Sequence, residues 1–193
     1  MLVLPLDRGE RVTPLPAPLS GMRAAVTGAV DFSGVETSTD SLLGEAGDYL
    51  REPDFSCGAW RSSAVALGGL EALVDAAIGQ LRESGRLRNP HTQARLGLAL
   101  IARDTARLWV RHAARAAEDP SLPVRARVSA VGMGRIAVET ACLDAMRHVQ
   151  RSIGLSSFRQ GSDIERICRD LQTYLRQPAP DEVLTEAALW CAS

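Results

Sequence analysis

The sequence predicts a mainly α protein: an antiparallel four-helix bundle with an additional C-terminal helix, preceded by a few β-strands from an incomplete β-domain. Three observations lead there. From about Asp54 onward apolar residues recur every three or four positions, the period of a helix with one buried face. Apolar residues make up 46% of the chain but aromatics only 4%, so Leu, Ala, Val and Ile must fill the core. That suits helix-on-helix packing better than a sandwich, whose strands want aromatic and β-branched side chains. The breaks between periodic stretches are short, which makes neighbouring helices antiparallel.

Residues 1–53 read as partial β-domain strands and a linker, and residues 54–193 as the helical bundle. The first part is rich in Pro and Gly, with strand-like pieces at Leu2–Leu6, Met22–Val26 and Val30–Val35. About three strands in some 50 residues are too few for a self-standing β-domain. With the first of them directly after Met1, the chain is expected to begin in the middle of a fold.

In the second part Trp60, Ala64, Leu67, Leu70, Val74, Ile78 and Leu81 predict one long helix from Asp54 to about Ser84. Asn89-Pro90 then reads as an N-cap followed by proline at the first helical position. The second helix runs to about Glu118, before Pro120 and Pro123, and the third to about Ile153, before Gly154. Three helices of this length would each measure ~45 Å. Ser162 and Glu165, spaced as a capping box, open a fourth helix to about Arg176. The run Gln177-Pro178-Ala179-Pro180 stops it, and a last helix spans Asp181 to about Cys191.

Composition narrows the function classes. All 22 basic residues are Arg and the net charge is −1, so lysine nucleophiles and Schiff bases are excluded. Arg103, Arg107, Arg111 and Arg115 form a stripe at four-residue spacing, suited to phosphates or acidic side chains of a partner, or to water. Nucleic acid is not expected, because no aromatics are interleaved with the arginines for stacking. The widely spaced Cys57, Cys142, Cys168 and Cys191 read as reduced thiols of a cytoplasmic protein. His91, His112 and His148 lie on separate elements, and none has a Glu three residues before it, so no metal site is expected. No uncharged apolar run approaches the ~20 residues of a membrane span. The opening MLVLPLDRGE carries charge too early for a signal peptide. Gly132-Met-Gly134, inside a helix, reads as close helix packing rather than a phosphate loop.

Several segments, in order, resemble the acyl-CoA dehydrogenase family of flavoproteins. Gly21-Met-Arg-Ala-Ala to Val30-Asp-Phe-Ser-Gly-Val35 and Leu42-Leu-Gly-Glu-Ala-Gly-Asp48 look like the closing strands of its middle β-domain. Ala66-Leu-Gly-Gly-Leu-Glu-Ala-Leu-Val-Asp75 looks like its first long C-terminal helix. His148 to Phe158, then Glu165-Arg-Ile-Cys-Arg-Asp170 with Tyr174, looks like the passage from its third helix to its fourth.

The resemblance implies FAD lying between the β-domain of one subunit and the bundle of its neighbour. It implies a homo-oligomer, dimer or tetramer, and a companion chain as one source of the domains this sequence lacks. Carried over residue by residue, it points to Arg86 (or Arg88) in the first interhelical loop, Gln93, Arg151 and Gly154 at the cofactor, and to Trp60 and Arg61 at the substrate. It assigns no catalytic residue. The family's usual base position, four residues after Tyr174, is Pro178, and the alternative near Gly58-Ala59-Trp60 has no carboxylate. Two functions are therefore expected: a flavoprotein component doing redox chemistry on an acyl-CoA or related substrate, or a non-catalytic assembly subunit that keeps the fold for its oligomer.

Overall fold

The computed structural model describes residues 1–4 and 13–193. Its body is the bundle: α1 (Asp54–Cys57), α2 (Ala59–Glu83), α3 (Pro90–Glu118), α4 (Val124–Ile153), α5 (Asp163–Tyr174) and α6 (Pro180–Ala192). Helices α2 to α5 form the antiparallel four-helix core and α6 is the additional helix. The first long helix differs from expectation by parting at Gly58 into α1 and α2.

The core is aliphatic, as the scarcity of aromatics requires. Leu70, Leu73, Val74, Ala77 and Leu81 of α2 meet Ala99, Ala102 and Ala106 of α3 and Val138, Cys142, Met146 and Val149 of α4. By length and composition the stretch Asp54–Glu83 is apolar enough to cross a membrane. Its Leu70, Leu73 and Val74 are nevertheless fully enclosed by the bundle, and its Glu71 pairs with Arg107 of α3 at 2.7 Å.

Small residues set the helix spacing around α4. A Cβ added at Gly134 would sit 3.0 Å from Ala113 Cβ on α3, and one at Gly132 would sit 2.6 Å from Val183 on α6. The two glycines let α4 approach two neighbours on different sides, in line with the close packing their sequence suggests. The caps follow the sequence as well. Asn89 Oδ1 accepts from the backbone N–H groups of His91 and Thr92. Ser162 Oγ accepts from Glu165 N–H, but only this half of the capping box forms, because the Glu165 carboxylate turns to Arg169 at 2.8 Å.

Ahead of the bundle lies a two-stranded antiparallel ribbon, β1 (Thr13–Pro16) with β2 (Gly28–Asp31), in which Pro14 faces Val30. The expected strand at Met22–Val26 is instead a 3₁₀ turn, Arg23–Ala25, flanked by left-handed Met22 and Val26. Its geometry follows from docking on α5. Met22 N–H donates to Asp170 Oδ1 at 2.7 Å, Arg169 Nη1 donates to Ser20 O at 2.9 Å, and Gly21 is buried between them. Of the expected strand Leu2–Leu6, Leu2 makes a single bridge to Leu42, and positions 5 and 6 lie outside the described residues.

Candidate functional site

The C-terminal end of α4 draws three of the expected cofactor residues together. Gly154 ends the helix with φ +71°, a conformation that a Cβ would strain, and open space lies where that Cβ would be. Arg86, brought in by the turn after Gly85, donates from Nη1 to the carbonyls of Ile153 at 2.7 Å and Ser152 at 3.4 Å. Arg95 Nη1 reaches Arg151 O at 3.4 Å. These contacts place cations on carbonyls that form the negative end of the helix dipole. Gln93, in the first turn of α3, is occupied differently: its amide donates to Leu87 O at 2.8 Å and braces the turn that carries Arg86. Arg88 is exposed beside that turn.

An open groove of about 450 Å³ lies beside this end, with apolar lining from Leu143, Met146 and Phe158. Its polar lining is Arg147, Gln150, Arg151 and Gln172. Arg147 is paired with Asp144 at 3.1 Å, whereas the exposed Arg151 guanidinium has no partner among the described residues. The field here is positive. Burial pushes His148 below the ordinary histidine value, and Arg147, Arg151 and Arg95 add to the shift against the opposing pull of Asp144.

Trp60 and Arg61 sit at the other end of the bundle. The 25 residues of α2, ~37 Å at the helical rise, separate them from the Arg86 turn. Trp60 packs on Cys57, Ala113, Ala117 and Val131 in a small second core, with its indole N–H buried and without a partner among the described residues. The Arg61 guanidinium lies over the Trp60 ring at 5.3 Å and 3.9 Å from Glu118. Within one chain these two residues do not share a pocket with Arg151.

Near them, between α2, α4 and the α5–α6 loop, is a crevice lined by Ser62, Arg135, Glu139, Tyr174 and Gln177. Its volume of about 10 Å³ holds about one water molecule. The position expected for a base is closed off here: Pro178 O accepts from Arg135 Nη2 at 2.9 Å. The carboxylate of the crevice is Glu139, which the sequence reading did not single out. Arg176 Nη2 holds it at 2.6 Å. Its only signal in the sequence is an acid between the inward-facing Val138 and Cys142 of an otherwise apolar helix face. Burial and the Glu139 charge together push the Cys142 thiol up to about 12.

Comparison with known proteins follows this architecture. The family model for the acyl-CoA dehydrogenase C-terminal domain matches residues 61–176. No curated protein matches the sequence. Among solved structures, the flavoprotein nitroalkane oxidase superposes with a TM-score of 0.78 at 17% identity, covering 97% of this chain and 46% of that one. Nitroalkane oxidase from Podospora anserina gives 0.79 at 18% identity, over 94% and 46%. The 3-HSA hydroxylase from Rhodococcus sp. RHA1 gives 0.75 at 16% identity, over 93% and 52%. At such identities the likeness is one of fold, and the chain spans about half the length of these structures.

Proposed function

Since this chain belongs to the acyl-CoA dehydrogenase family through its C-terminal domain, we propose that it forms one wall of an FAD site in an oxidoreductase assembly, acting on an acyl-CoA or related substrate. The remaining walls come from outside these residues. The observation that carries this reading is an open, electropositive groove lined by Arg147, Arg151 and Gly154, with Arg86 on the adjoining α4 carbonyls. A groove of this size fits the phosphate-bearing part of the cofactor and leaves the rest to other walls.

In this reading Arg151 holds phosphate oxygens through paired N–H groups, with the amides of Gln150 and Gln172 beside it. Arg86 and Arg95 cover the α4 carbonyls, which would otherwise repel an anion at a helix C-terminus. Gly154 leaves the backbone open to close approach. Bound flavin supplies the two-electron acceptor. Trp60 and Arg61, ~37 Å away along α2, border the substrate of a different site from the one Arg151 serves. One copy thus contributes to two pockets, which requires an oligomer.

A second reading, a non-catalytic assembly subunit, is favoured by one observation. At the base position the chain offers Pro178, a one-water crevice and a Glu139 already held by Arg176. The visible absorption spectrum of the purified assembly, before and after added FAD and desalting, separates the two readings. Retained flavin that falls at least about tenfold in affinity in Arg151→Ala supports the first. A colourless oligomer that ignores FAD supports the second. Flavin retained equally by the variant removes Arg151 from the site.

A further inference from the structure

The loop between α5 and α6 is tied to α4 at two points one helical turn apart. Glu139 accepts from Arg176 Nη2 at 2.6 Å, and Arg135, on the same face of α4, donates from Nη2 to Pro178 O at 2.9 Å. The Arg176 side chain is 62% exposed and that of Glu139 19%, so water and salt reach the ion pair from one side. Packing fixes the chain on either side of the loop: Leu175 is buried in the core, and Val183 of α6 lies against Gly132 of α4. Between these anchors the backbone has little to hold it. Pro178 and Pro180 lack N–H groups, and Ala179 sits at φ +52°, a left-handed conformation that an L side chain resists. The loop covers the crevice lined by Ser62, Ser63, Arg135, Glu139 and Gln177. Arg135 Nε is buried and has no partner among the described residues.

From these contacts we propose that residues 176–179 are a strap, latched over the crevice by the Glu139–Arg176 pair, which swings out when that pair breaks and admits a small uncharged carbonyl compound to Arg135. Two features favour opening. Ala179 relaxes as the strap leaves, and an acceptor entering the crevice satisfies Arg135 Nε, whose burial without a bond is costly. The latch opposes them, and breaking it strands no buried charge, because both partners already touch water. The helices stay in place, since Leu175 and Val183 hold the ends of the strap. Opening also takes Pro178 O off Arg135, and Nη2 shares an edge of the guanidinium with Nε. The freed edge presents two parallel donors to one carbonyl oxygen. The carboxylate of Glu139, released into the same space, disfavours an anion there. The strap rests on contacts within one chain and is independent of the flavin reading.

The test uses the full chain with Cys191→Ser, which removes the exposed thiol, and Ser63→Cys, which puts a thiol in the crevice wall at a position 4% exposed. Iodoacetamide, itself an uncharged amide, is the probe. Labelling at position 63 should be slow with the strap latched. Adding Arg176→Ala should speed it about fivefold or more, because the rate follows the open fraction. Salt at about 1 M, with a Debye length of ~3 Å, should speed labelling when Arg176 is present and leave the Arg176→Ala protein unchanged. Arg176→Lys should stay within about twofold of the latched rate. Hydrogen exchange over residues 172–183 reads the same opening without the thiol substitutions, and should quicken in Arg176→Ala while exchange across α2 and α3 holds. Prompt labelling with Arg176 present, or a rate indifferent to Arg176→Ala, would overturn the proposal. So would equal acceleration at Cys142 and Cys168, which reports loosening of the whole bundle.

Discussion

Leu73 and Val30 belong to the same chain and both come from apolar, regularly patterned segments, yet Leu73 is fully enclosed and Val30 is 40% exposed. The bundle core and the segment 17–53 differ in the same way: of residues 17–53 only Gly21 is buried. A helix satisfies its backbone internally and needs only a neighbour for one face. A strand needs neighbours for its edges as well, and a two-stranded ribbon is marginal without further strands or a packed face. The segment leaves Val26, Phe32, Leu42, Leu43 and Tyr49 exposed and grips the bundle through Ser20, Gly21 and Met22 on α5. The contrast predicts two levels of stability in one molecule.

The largest effect should come from the core. Leu73→Ala is expected to cost about 2–5 kcal/mol in chemical denaturation, and Val30→Ala within about 0.5 kcal/mol. Equal costs would mean that the segment is integral to the fold. Next is Gly21→Val, whose Cβ would lie 2.2 Å from Arg169 O. It should free residues 17–50 to proteolysis with little change in the melting of the bundle; a lowered melting temperature would instead make the anchor part of the cooperative unit. Asn89→Ala removes the α3 cap and should cost about 1 kcal/mol, read from the same denaturation curves.

The smallest effect at neutral pH concerns the thiols. Burial pushes Cys142 up to about 12 and Cys168 up to about 11, whereas Cys191 is exposed. Cys191 should therefore be alkylated at once, and Cys142 and Cys168 only on unfolding. Unfolded thiols ionise near ~8.5, so their contribution to stability is fully present below that pH. It is lost progressively as pH rises toward 11 and 12, where the folded thiols ionise too. Prompt labelling of Cys142 in the native protein would contradict the packed core.

What was legible in the sequence depended on range. The N-cap at Asn89-Pro90 was readable because a cap involves groups two or three residues apart. Ser162 was readable as a cap for the same reason, but not the diversion of Glu165 to Arg169. Met22–Val26 looked like a strand because its residues are apolar enough; the carboxylate of Asp170, 148 positions away, holds it as a turn. Thr13–Pro16 was not expected to be a strand, since Pro14 and Pro16 lack N–H groups, and an edge position is where a ribbon tolerates them. At the candidate site, Gly154 had a local signal. The Glu139–Arg176 pair had none, because Glu139 lies on α4 and Arg176 lies 37 positions away in the loop after α5.

By itself the sequence determined the helical class, the approximate helix boundaries and an aliphatic core, because periodicity, caps and breakers act within a few residues. Only the tertiary structure decided that Arg86 meets the last carbonyls of α4, that Trp60 and Arg61 lie a helix length away from Arg151, and that Leu98, Ile101 and Leu108 face outward. Those outcomes depend on which helix face meets which neighbour. Crossing geometry and the small residues Gly132 and Gly134 set that choice, and no local pattern reports it.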